Sequence, residues 1–245
     1  MILCNYTVSL HFWSIVLSLD FTDFKDAVEK KHGIENKTKL APCLNSIEER
    51  RKFSRYHYMT AINAIDRVLK DKNDEIELID LILDINHEDR DAFEECKFIA
   101  CANIIACIQS IHSISDILSH VIYYSLNLKN AKYDSDISLN KILKWLKCTE
   151  FQYLVSLLEE LTNNTNYNYL SALVNYSKHC SVISTNFNVN LKKQGNEMKE
   201  LKFITFNSKG VCYLSHLAPD FLTEEFHRQI KLINETLNEL NRSVT

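Results

Sequence analysis

The longest uninterrupted pattern in the chain runs from Asp89 to about Leu126. There Ile104, Cys107, Ile108, Ile111, Ile114, Leu118, Val121 and Ile122 recur at the steps of a single helix face. In the first half of this segment the opposite side is also apolar (Phe98, Ala102, Ile105), which predicts burial all round. Further along, that side turns polar at Gln109, His112, Asp116, His120 and Tyr123. Such a stripe either meets solvent or lines a site.

Earlier in the chain, Asp23 to Lys31 reads as a short helix stopped at Gly33, and Ala41-Pro42 predicts a break. Ser46 followed by Glu49 has the form of a capping box. It opens a helix to about Leu69, with Phe53, Tyr56, Met59, Ile62 and Ile65 at helical spacing. Asp71 to Asp74 is a charged turn, and Ile76 to Ile85 a shorter apolar helix. The apolar run His11 to Leu19 reads as a buried strand or helical turn. It is too short to span a bilayer and has no basic residue before it, so a soluble, cytoplasmic chain without membrane partners is expected.

Asn127 to Asp136 reads as a loop, and Ile137 to Lys147 as a short helix. Thr149 with Gln152 resembles a capping box opening the helix Phe151 to Leu161, and Thr162 to Thr165 is a break. A helix from Asn166 to Ile183 follows, its core face formed by Tyr169, Leu173, Tyr176, Cys180 and Ile183. Then the period changes to two: Phe187, Val189 and Leu191 alternate with polar residues. Leu201 to Phe206 and Val211 to Leu214 flank Asn207 to Gly210, read as a four-residue hairpin loop. Pro219-Asp220 opens a last helix carrying Phe226, Ile230, Ile233, Leu237 and Leu240, with Arg242 to Thr245 fraying. The fold class is therefore mainly α: a helical bundle with a small antiparallel sheet near the C-terminus and a final helix. One domain over residues 1–245 is the simplest division, with a bundle core over 46–183, a hairpin over 186–215 and the last helix over 220–241.

Composition narrows the chemistry. Three Gly and two Pro argue against a β-rich architecture and against a Gly-rich phosphate loop. A net charge of −4, from 28 basic and 32 acidic residues, gives no global basic bias toward nucleic acid. The eight cysteines form no Cys-x-x-Cys and no zinc spacing, which suits a reducing compartment. The single Glu29/His32 pair has no second copy, and His87-Glu88-Asp89 sits where acids favour a helix start. No metal and no cofactor are expected, and no nucleophile elbow supports hydrolase chemistry.

The remaining candidate is Asn175-Tyr176-Ser177-Lys178-His179. Asn175 and His179 lie one helical turn apart on the same face, with Lys178 beside them. A second pair, His112 and Asp116, has the same spacing, and the carboxylate there could orient the imidazole. Such pairs are more often hydrogen-bonded packing partners than catalytic groups. What favours chemistry is their convergence, two pairs on two helices that a bundle could place face to face.

With Val174-Asn175-Tyr176-Ser177-Lys178-His179 late in a helical bundle, and Gln109 to Asp116 on an earlier long helix, the chain resembles the HEPN superfamily. The resemblance covers about Ser46 to Ile183. It implies a homodimer of prokaryotic defence or toxin–antitoxin type. In its active members an Arg and a His from two protomers cut RNA without metal, using the 2′-hydroxyl as nucleophile. His179 matches the histidine and Asn175 the polar residue that follows the arginine, but the arginine position is Val174. Two expectations follow. In one, His179 transfers the proton, Asn175 orients it or the phosphate, Lys178 supplies charge, and His112 with Asp116 forms a second wall. In the other, the module is catalytically silent and binds protein or nucleotide, and the same residues form a structural network.

Overall fold

The computed structural model describes residues 17–70, 72, 74–83, 90–183 and 185–245. It is mainly helical, with a small antiparallel sheet and a C-terminal helix. Among the described residues the helices are α1 (Phe21–His32), α2 (Ile34–Leu69), α3 (Glu75–Leu83), α4 (Arg90–Ser125), α5 (Leu139–Leu146), α6 (Gln152–Thr162), α7 (Thr165–His179) and α8 (Ala218–Val244). The strands are β1 (Thr185–Val189), β2 (Lys199–Phe203), β3 (Phe206–Ser208), β4 (Val211–Tyr213) and β5 (His216–Leu217). The expected N-terminal run His11 to Leu19 lies largely outside the described residues, as do Asp71 and Asn73 of the charged turn and His87 to Asp89.

Helix boundaries follow local chemistry. The Asp20 carboxylate caps α1 by accepting from the amides of Thr22 (2.7 Å) and Asp23 (3.4 Å). Gly33 ends it at φ 92°, a conformation that an L side chain resists. Pro42 does not break the chain: it lies inside α2, and Ser46 is therefore mid-helix rather than a cap. A proline in a helix interior costs about 3 kcal/mol. Leu40, Leu44 and Ile47, on either side of it, are fully buried. Burial of each such side chain is worth about 1.5–3 kcal/mol, so together they outweigh the loss. Glu48, next to the expected cap partner, instead holds Arg51 at 2.7 Å. At the other end of the chain, α8 continues to Val244 instead of fraying. Val244 is buried, and Lys31 donates to the Ser243 carbonyl at 2.6 Å, satisfying one of the open carbonyls of a helix end.

The described residues divide into two compact units. The first comprises residues 53–109 and 169–224. Its sheet has the order β1-β2-β5, all antiparallel, with Thr185 opposite Phe203 and Val189 opposite Lys199. Beneath it Leu69, Leu78, Leu81, Phe93 and Met198 form a core, against which Phe187 and Val189 pack. Phe93 and Phe187 meet edge to face at 5.5 Å. β3 and β4 pair Ser208 with Val211, which leaves a two-residue loop, not four. Lys209 and Gly210 have φ of 50° and 79°, the positive pair that matches hairpin twist.

The second unit comprises residues 17–52, 110–168 and 225–245. Its core includes Ile111, Ile114, Leu118, Val121 and Ile122 of α4, with Phe226, Ile230, Ile233, Leu237 and Leu240 of α8, all fully buried. The α4 stripe is thus buried along its whole length. The expected burial of the opposite side of α4 fails: Phe98 is 75% exposed, and Ala102 is exposed as well. In this stretch α4 packs by one stripe only. By length and composition α4 could cross a membrane, but half of its most apolar window is buried in the protein.

Candidate functional site

The last two turns of α7 separate core from surface cleanly. Tyr169, Leu170, Leu173 and Val174 face inward, whereas Asn175, Lys178 and His179 are exposed. Val174, at the position where the HEPN resemblance would place an arginine, is wholly buried. The Asn175 amide donates to the Ser171 hydroxyl at 3.2 Å, one turn back, and so turns away from His179. Among the described residues His179 has no hydrogen bond, ion pair or ring contact. Asn175, Lys178 and His179 thus share an open helix end with no group holding the imidazole. They belong to the first unit, while His112 and Asp116 belong to the second.

His112 is held far more firmly. Its side chain is about 10% exposed, and Nδ1 lies 3.3 Å from Oδ2 of Asp116, whose side chain is 59% exposed. Tyr167 stacks on the imidazole with ring centres 6.0 Å apart and planes at 18°. The Tyr167 hydroxyl lies 3.2 Å from that of Ser115, which donates to the His112 carbonyl at 2.7 Å. Burial pushes the Tyr167 phenol up, so it stays a neutral hydrogen-bonding group.

The polar stripe continues at four-residue spacing along α4, through His120 to Tyr124. Burial lowers the His120 imidazole from its usual value, and the carboxylates of Asp134 and Asp116 oppose this only in part. The His120 and Tyr124 rings are 6.2 Å apart. Burial raises the Tyr124 phenol well above the usual range, and its hydrogen bond to Asp134 adds to the shift. The Cys43 thiol, raised to about 11 by burial and by Asp134, stays protonated and is a poor nucleophile. His112, Asp116, His120 and Tyr124 thus form a line of alternating imidazole, carboxylate, imidazole and phenol. The His112–Asp116 pair can hold a proton, but none of the four side chains is a fixed cation that could meet a phosphate. Tyr124 was within reach of sequence reasoning, four residues after His120. Tyr167, Asp134 and Cys43 are distant in the chain and left no local signal.

Arg228, in the same unit, is committed elsewhere. Arg228 forms a two-pronged pair with Glu225 at 2.8 Å and donates to the carbonyls of Glu160 and Leu161 at the end of α6, each at 3.1 Å. In the first unit, Ile62, Ile65, Asp66, Phe187, Lys199 and Leu201 line a cavity of about 10 Å³. That is room for about one water. Lys199 there donates to the Leu69 carbonyl at 2.6 Å. Among the described residues, no group of three or more His, Cys, Asp or Glu is placed to hold a metal. Comparison with protein-family models, with curated proteins and with solved structures returns no match.

Proposed function

We propose that the chain is a HEPN-like helical module that has lost RNA cleavage and acts by binding, of the kind found in prokaryotic defence or toxin–antitoxin systems. The observation that carries this reading is the state of α7. The position that would supply an arginine holds Val174 in the core, and His179 stands exposed with no group among the described residues to orient it. A proton-transfer residue needs a held geometry, and a phosphorane-like transition state needs a preorganised cation. Lys178 is exposed beside His179 and is fixed by nothing among the described residues. With Asn175, Lys178 and His179 exposed on the last turns of α7, a protein partner, including a second copy, suits the module. The test is incubation of a mixed RNA pool with purified protein in EDTA, comparing wild type with His179→Ala. No cleavage by either is expected.

A second reading, a metal-independent ribonuclease, is favoured by one observation. His112 is oriented by Asp116 and clamped by Tyr167, as a general base would be. EDTA-resistant cleavage lost in His112→Ala would establish that reading.

A further inference from the structure

We propose that β1 is the docking edge for a second copy of this chain, pairing antiparallel with its counterpart about a two-fold axis at Phe187. β1 is the outer strand of its sheet, with β2 on one side and no strand on the other among the described residues. Edge strands that stay single are blunted by lysine, proline or a bulge. β1 has none of these, since its register with β2 is continuous from Thr185 to Val189. No residue from Cys180 to Leu191 is charged, in a chain that is 24% charged.

The sequence of this edge is also self-complementary. Placing Phe187 opposite its own copy sets Asn186 against Asn188 of the second copy, and Thr185 against Val189. The asparagines are the exposed residues of the strand, and their amides would pair across the axis. Thr185, Phe187 and Val189 are half-buried on the core face, so a second strand would complete their cover. Val182 and Leu191 flank the strand, 58% and 54% exposed. One rotation therefore satisfies the open backbone edge and pairs the asparagines. The occupant is a second copy, not an arbitrary strand, because the matching groups all lie on this one segment. The proposal does not depend on the functional reading, as it uses no residue of α4 or α7.

The test is sedimentation equilibrium of the full chain over a concentration series, with hydrogen exchange at both ends of the series. Wild type should move from 28.6 kDa toward twice that mass, and the β1 amides should become more protected as it does. The double variant Asn186→Lys/Asn188→Lys sets lysine against lysine at both asparagine pairs. It should weaken the dimer at least ~10-fold with an unchanged circular dichroism spectrum. A wild-type chain that stays monomeric would overturn the proposal. So would a dimer in which β1 protection is unchanged, or one that a folded double-lysine variant leaves as tight as wild type.

Discussion

Replacing Arg228 by alanine should be among the most damaging single changes to the second unit. Glu225 has no exposed surface, and its two oxygens accept from Nε and Nη2 of Arg228 at 2.8 Å, with Gln229 adding a third donor at 2.7 Å. Removing the guanidinium leaves a buried carboxylate with one neutral partner, which costs about 3–5 kcal/mol. The carbonyls of Glu160 and Leu161 lose their donors as well, but Glu160 is exposed and water can replace the arginine there. At roughly 2–4 °C per kcal/mol for a chain of this size, Tm should fall by about 6–20 °C. Urea denaturation with an unchanged m-value would place the loss in the folded state. The double variant Glu225→Met/Arg228→Met removes both charges and keeps the volume. It should recover most of the loss, because apolar replacement of a buried pair is often neutral. A loss below about 1 kcal/mol in Arg228→Ala would refute the reasoning, since that is the size of an exposed pair.

Other outcomes follow from the same geometry. Burial would raise the Glu200 carboxyl, but hydrogen bonds from Lys202, Asn190 and Lys193 outweigh it and bring the pKa to about 2. Its stabilising effect is therefore complete above the ordinary glutamate value and is lost as pH falls toward 2. In urea titrations Glu200→Gln should be less stable than wild type at neutral pH and converge with it in acid. His120, lowered by burial, favours the fold when neutral. It should titrate below an ordinary histidine by NMR, and its contribution should fade as pH drops below the unfolded value of about 6.5. Pro42 is exposed within a continuous helix, so Pro42→Ala should stabilise the chain by about 1–2 kcal/mol in thermal melts. Destabilisation would mean that α2 is interrupted there.

The elements were largely legible because their signals are periodic. The α4 stripe and the face of α8 appear in the sequence as three- and four-residue steps, and the same residues are buried. Errors arose where a local signal met a tertiary term. Pro42 reads as a break, yet Leu40, Leu44 and Ile47 anchor α2 on both sides of it. Phe98 reads as core because it is apolar, but hydrophobic pattern alone does not say how many faces a helix packs. At the hairpin, Gly210 marked the turn, while the loop length depended on Lys209 adopting positive φ, which composition does not reveal. The candidate site was legible only along one helix. His112, Asp116 and His120 share a periodic stripe, whereas Tyr167 and Asp134 reach it from other elements. At Val174, residue identity was enough to question the arginine site, but only the structure shows the side chain in the core.

The most direct test of the central claim is cleavage of a mixed RNA pool in EDTA by wild type, His179→Ala and His112→Ala, each checked for folding by circular dichroism. The account predicts that none of the three degrades RNA above a buffer control. EDTA-resistant cleavage by wild type, abolished in His179→Ala while the fold is intact, would contradict it. That result would show that α7 is catalytic despite a buried valine at position 174.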